Sequence, residues 1–195
     1  MALWKAGVEF TDNRVTGGDW QALKESGKLP YGQIPALELA DGTFLAQGCT
    51  IMNYIADLYP QLKSADPLVN AKADSITQFV FQDMLMKIAP KIFAQGENRD
   101  ADLQAVIDEW IPKFYEKLVM FLPADKKFLT GDTVTIYDIQ VAGFIVNLVT
   151  NPGSKDPAVW AAAWEKAPER VKKYEADFSE DMKAYLDARP KDCTI

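Results

Sequence analysis

The stretch that most limits what this chain can fold into is Pro30–Tyr59, PYGQIPALELADGTFLAQGCTIMNYIADLY. Ala36-Leu37-Glu38-Leu39 is a short apolar run held between Pro35 and Asp41-Gly42. Asp-Gly between two apolar runs is a strong short-range hairpin signal, which makes Thr43-Phe44-Leu45 the return strand. Beyond Gly48 the period changes. Ile51, Tyr54, Ile55 and Leu58 fall at i, i+3, i+4 and i+7, one face of a helix. Tyr59-Pro60 ends it, because a residue before proline avoids the helical region. Strand, turn, strand, helix is therefore predicted over 36–58.

Two features of this stretch bear on binding. Gln33-Ile34-Pro35 sets a proline directly before a strand, where its missing N–H and fixed φ matter most. The residues leave two geometries open. An ordinary trans proline would simply start the strand. A cis Ile34–Pro35 bond would turn the Ile34 N–H and C=O outward, where an extended peptide can pair with them. Gln47-Gly48-Cys49 opens the following helix. Free N–H groups and the positive dipole end suit a carboxylate there, and Gly48 allows close approach. The alternative is a helix start that merely follows a loop.

Together these residues look like something more specific. G-Q-I-P-A-L-E-L, a turn, then L-A-Q-G-x-x-I-x-x-Y-I-A resembles the glutathione-binding half of the glutathione transferases, the tyrosine-type classes and sigma in particular. The resemblance implies a thioredoxin-like α/β N-terminal domain over 1–60, a linker over 61–67 and an all-helical bundle domain over 68–195. It implies a cis bond at Pro35, with glutathione, as co-substrate, lying along Gln33, Ile34 and Pro35. The γ-glutamyl end would rest at Gln47 and Gly48. Trp20 and Lys24, four apart and on one face of a helical turn, match the tryptophan and lysine that hold the glycine carboxylate of glutathione. An indole N–H and an ammonium suit that task, both being donors and one charged. Read without the resemblance, the pair is a half-buried aromatic with a snorkelling lysine. Lys28 is a third candidate. The family has Gln-Ser where this chain has Gln47-Gly48, so one hydroxyl hydrogen bond to the carboxylate is lost. Such a bond is worth about 1.5–3 kcal/mol, so weak glutathione binding is expected.

The family's first strand, the tyrosine just after it that stabilises the glutathione thiolate, and an arginine early in the first helix fall before Met1. No catalytic residue is assigned for that reason. A thioredoxin-like sheet without its central first strand leaves buried N–H and C=O groups unpaired at about 1–3 kcal/mol each. Three accounts stay open: an internal methionine taken as the start of a longer chain, a rearranged and inactive domain, or another chain filling the gap. Tyr31 and Cys49 are candidates to replace the missing hydroxyl. Cys49 sits where a helix start lowers a thiol pKa, although without a C-x-x-C partner it reads first as a small buried apolar residue.

Composition narrows the function classes. Over 195 residues the chain is 48% apolar, enough for a proper core, with no run long enough to span a membrane. Met1–Phe10 carries Lys5 and Glu9 and no long apolar segment, so no leader is visible. A net charge of -7 argues against nucleic acid, which needs a basic face. No histidine is present, which removes serine-triad and cysteine–histidine catalysis and leaves no imidazole for a metal. Two cysteines, Cys49 and Cys193, make no disulfide framework, so a reducing, cytoplasmic setting is expected.

Elsewhere, Met1–Ala6 reads as a helix stopped by Gly7, Val8–Val15 as a strand, and Thr16–Leu29 as loop with one helical turn. Helices are predicted over Ala71–Phe93 and Asp100–Leu122, the second broken near Pro112. Asp74, Gln78 and Asp83 lie on the first; in the family an acidic residue there reaches the partner subunit's glutathione amine, and read without the resemblance each belongs to a solvated face. Phe79, Phe81, Met84 and Met86 are either core or the lining of an apolar electrophile pocket. Phe128–Ala142, FLTGDTVTIYDIQVA, resembles the family element F-L-x-G-D-x-x-x-x-x-D-I-x-x-A. Thr135 and Asp138 have capping-box spacing, and Val134 and Ile139 stand as a hydrophobic staple. The helix continues over Val141–Val149 and stops at Asn151-Pro152-Gly153. Pro157–Ala167 and Glu169–Leu186 are the last two helices, before a polar tail at Pro190–Ile195. The function implied is conjugation of glutathione to small apolar electrophiles by a homodimer or larger assembly. The rival is a catalytically inactive structural or assembly subunit of the same shape, and a glutathione-dependent isomerase is a third reading.

Overall fold

The computed structural model describes residues 1–15 and 17–189. Thr16 and the expected tail Pro190–Ile195, with Cys193, lie outside the described residues. The chain divides into two compact units, Met1–Leu62 and Lys63–Ile195.

The first unit opens on α1, Ala2–Lys5. Gly7 ends it at φ 74, with the Val8 N–H donating to the Leu3 carbonyl and the Gly7 N–H to that of Trp4. This is the left-handed glycine cap that the sequence signals. Val8–Val15 forms no strand. It is irregular and largely exposed, because an alternating pattern needs a neighbouring strand to pair with and none lies beside it among the described residues. In place of one turn, Gly17–Glu25 forms a nine-residue helix, α2. The hairpin pairs β1, Ala36–Glu38, with β2, Phe44–Ala46, antiparallel with Leu37 opposite Leu45. Gly42 takes φ 86, and the Thr43 N–H donates to the Asp41 carboxylate at 2.9 Å. α3, Gly48–Leu58, then packs Ile51, Ile55 and Ala56 inward. Each fully buried aliphatic side chain contributes about 1.5–3 kcal/mol.

The second unit is helical throughout. α4, Pro67–Gln78, starts on an Asp66 carboxylate that accepts from the Leu68 N–H at 2.8 Å, with Pro67 in the first helical position. A wide turn at Phe79–Met84 joins it to α5, Leu85–Ile92. The core stripe explains the turn. Ile76, Val80, Met84 and Ile88 are all fully buried at a strict spacing of four. An α-helix of 3.6 residues per turn would rotate that stripe off the core, and a π turn brings it back. The same device separates α6, Arg99–Ala105, from α7, Ile111–Phe121, at Val106–Trp110, just before Pro112.

α8, Ile136–Phe144, is buried on every face and runs into a third wide turn at Ile145–Val149. Its start is the predicted capping box, with Val134 and Ile139 both buried beside it. The Asp138 carboxylate, fully buried, accepts from the Leu129 and Thr135 N–H groups, the Thr135 hydroxyl and the Tyr174 hydroxyl. Burial pushes this carboxyl up from its ordinary value, against the pull of four donors. α9, Pro157–Glu165, follows, and its Trp160 is fully buried. The last stretch is two helices, α10 at Glu169–Asp181 and α11 at Lys183–Ala188, broken at Met182. No helix among the described residues is long and apolar enough to cross a membrane.

Candidate functional site

The candidate residues are carried by three pieces of the first unit: α2, the loop before β1, and the start of α3. Trp20 and Lys24 share one face of α2, Trp20 half-buried and Lys24 exposed. Gly32 takes φ 58, and a β-carbon there would lie 3.9 Å from the Lys24 Cγ. The lysine stem therefore runs beside the residue that precedes Gln33. Leu29, buried, anchors this loop from below, and the Gly32 N–H donates to its carbonyl at 3.1 Å. Gln33 and Ile34 are exposed, Ile34 by 52%. The Ile34–Pro35 bond is cis, the less common of the two geometries that the sequence left open.

Pro35 in turn meets α3. A β-carbon on Gly48 would lie 3.7 Å from the Pro35 Cγ, so the proline ring rests beside the first residue of the helix. Gln47, just before it, holds φ 71 and ψ 118, one of two non-glycine residues with positive φ among those described. Such a backbone costs about 1–3 kcal/mol and is kept where the surroundings impose it. Gln47 makes no side-chain cap, and the first turn of α3 holds no acidic residue. The dipole end is thus not neutralised from within the helix.

The structure brings Lys24, Gln33, Ile34, Pro35 and Gly48 into one neighbourhood through these two contacts. Among the described residues, the side chains of Trp20, Lys24, Gln33 and Gln47 have no hydrogen-bond or ion-pair partner. Three amide or indole donors and one ammonium are left for a ligand. Chemically the arrangement offers a lysine beside one end of an exposed peptide segment and a helix dipole beside the other, with Trp20 one turn before that lysine on α2. That donor set fits an extended peptide with a carboxylate at each end.

Other candidates sit elsewhere. Lys28 lines an open hollow of about 470 Å³ with Pro30, Glu38, Gly42 and Phe44, a set that shares no member with the residues above. Tyr31 is 66% exposed, and Cys49 is half-buried behind Gly48. In the second unit the Gln78 amide donates to Asp74 at 3.3 Å, one turn apart on α4, and Asp83 is exposed. Phe79, Phe81, Met84 and Met86 do not form one stripe, since Met84 is fully buried and Met86 is 68% exposed. Phe79, Phe81 and Met84 lie within the wide turn and Met86 beyond it on α5. The backbone of Gln47 is the feature that residue types do not reveal. Glutamine carries no preference for positive φ, and the only hint is the glycine that follows it.

The family profile described as "Glutathione S-transferase, C-terminal domain" matches residues 82–189. A curated relative, the probable glutathione S-transferase 5 of Caenorhabditis elegans, is 34% identical over 180 residues, covering 87% of this chain and 84% of its own. The hematopoietic prostaglandin D synthase of Gallus gallus is 29% identical over 133 residues, covering 68% and 63%. Among solved structures, the glutathione S-transferase from Ascaris lumbricoides superposes with a TM-score of 0.74 at 25% identity, over 97% of this chain and 89% of that one. This chain belongs to the glutathione S-transferase family. Its two units are accordingly a thioredoxin-like domain followed by the helical domain of that family.

Proposed function

We propose that this chain binds glutathione in extended form along Gln33–Pro35 and conjugates its sulfur to small apolar electrophiles. The single observation that carries the reading is the exposed Gln33–Pro35 segment, flanked by Lys24 against Gly32 and by Pro35 against Gly48. In this reading the Ile34 N–H and C=O pair with the central residue of the tripeptide. Trp20 Nε1 and Lys24 Nζ hold the glycine carboxylate, and Gln47 with the Gly48 N–H holds the γ-glutamyl carboxylate at the dipole end of α3. These contacts orient the thiol. Conjugation then requires loss of the S–H proton to solvent, attack of the sulfur on the electrophilic carbon to form a carbon–sulfur bond, and departure of the leaving group with its bonding pair, halide in the case of an aryl halide. The chain acts in the cytoplasm as a homodimer or a larger assembly.

A second reading keeps the binding site but not turnover, as in a structural or assembly subunit. Gly48 favours it, because the hydroxyl that the family places there is missing. A glutathione-dependent isomerase is a third, supported by the name of the Gallus gallus relative. Capture of this chain on immobilised glutathione, followed by a conjugation assay with an activated aryl halide, tests all of these. Capture with turnover is expected. Capture without turnover supports the binding subunit, and neither result supports a scaffold.

A further inference from the structure

Trp110 closes the wide turn ahead of α7, and two lysines lean on it. Lys87 Nζ lies 5.2 Å and Lys113 Nζ 5.1 Å from the centre of its ring. The two ammonium groups are therefore no more than about 10 Å apart, each at cation–π distance from one indole. Both lysines are exposed and Trp110 is half-buried. Ile88, next to Lys87, and Ile111, next to Trp110, are buried.

The neighbouring lysines behave differently. Lys91, one turn along α5 from Lys87, pairs with Asp102 at 3.3 Å. Lys117, one turn along α7 from Lys113, pairs with Glu116 at 3.0 Å. Lys87 and Lys113 have Asp83 and Glu109 one turn before them, yet neither carboxylate forms an ion pair with its lysine among the described residues. A chain with net charge -7 thus holds two cations without an ion pair among the described residues against one indole ring. Like charges brought together on a rigid support favour a ligand that neutralises both.

We propose that Lys87, Lys113 and Trp110 form a binding site for a small dianionic oxyanion, the chemistry shared by phosphate esters and dicarboxylates. The lysines supply charge, and the indole fixes where the ammonium groups stand. The site uses none of the residues assigned to glutathione, so its failure would leave that reading untouched.

The test titrates the full chain with inorganic pyrophosphate and, separately, with succinate, at low and constant ionic strength to limit screening. Tryptophan fluorescence is the readout, and a Trp110→Phe variant assigns the signal. Saturable change is expected for at least one probe, weakened roughly tenfold in both Lys87→Gln and Lys113→Gln. Whichever probe saturates names the source of the anion. Saturation by neither overturns the proposal, as does binding unchanged in either lysine variant. Both lysines are exposed, so unchanged melting curves will show that the variants are folded.

Discussion

Replacing Gly48 by serine should turn a weak glutathione site into a tighter one. The position accepts the change. A β-carbon at Gly48 meets only the Pro35 Cγ, at 3.7 Å, which is ordinary van der Waals contact, and its φ is not in the left-handed region. A hydroxyl there stands at the first residue of α3, where the γ-glutamyl carboxylate is proposed to rest. One hydrogen bond to a charged group contributes about 1.5–3 kcal/mol, or about one to two decades in Kd. Gly48→Ala separates the hydroxyl from the backbone effect. Both variants remove a helical glycine, so both should gain up to about 1 kcal/mol of stability. Only the serine should gain affinity. Calorimetric titration of glutathione into wild type, Gly48→Ser and Gly48→Ala decides the matter. Equal affinity for the serine and alanine variants would refute the placement of the carboxylate.

Asp138→Asn should cost about 2–5 kcal/mol, because the new amide group faces donors and leaves one or two buried N–H or O–H groups unpaired; urea unfolding measures it, and a loss under about 1 kcal/mol would contradict the capping account. Gln47→Gly should leave stability equal or raise it by as much as about 1–3 kcal/mol by relieving the positive φ, while weakening glutathione binding; a less stable variant would show that the conformation is not strained. The Thr43 N–H holds the Asp41 carboxyl below its ordinary value of 3.8. A folded value below the unfolded one means that its stabilising contribution is complete above that value and fades as pH falls through the folded one. The stability gap between wild type and Asp41→Asn should therefore be present at neutral pH and close in acid, and a gap that widens in acid would contradict it.

Local chemistry was the legible part of this fold. Asp41-Gly42 between apolar runs, the i, i+3, i+4, i+7 face from Ile51 to Leu58, and the Thr135/Asp138 box each specify their structure within a few residues, and each forms as predicted. Val8–Val15 misled because a strand pattern is only half a statement; the other half is a partner. Gly17-Gly18 made α2 look like loop, although Asp19–Glu25 is a good helical run. The wide turns left a trace in the strict four-residue spacing of Ile76, Val80, Met84 and Ile88, a spacing that a regular helix cannot keep on one side. Long-range chemistry left none: Tyr174 reaches Asp138 from 36 residues away. At the candidate site Trp20, Lys24, Gln33 and Gln47 could be named only through the family resemblance, since their types and spacing alone also fit a half-buried aromatic with a snorkelling lysine and a plain helix start. What could not be read was the backbone, above all the positive φ at Gln47.

The central claim is that an extended thiol tripeptide lies across Pro35 with one carboxylate at Trp20 and Lys24 and the other at the head of α3. Calorimetric titration of glutathione into the wild-type chain and into Trp20→Ala and Lys24→Ala tests it most directly. Saturable one-to-one binding is expected, weakened roughly tenfold or more by each substitution. No saturable heat with wild type, or affinity that survives both substitutions, would contradict it.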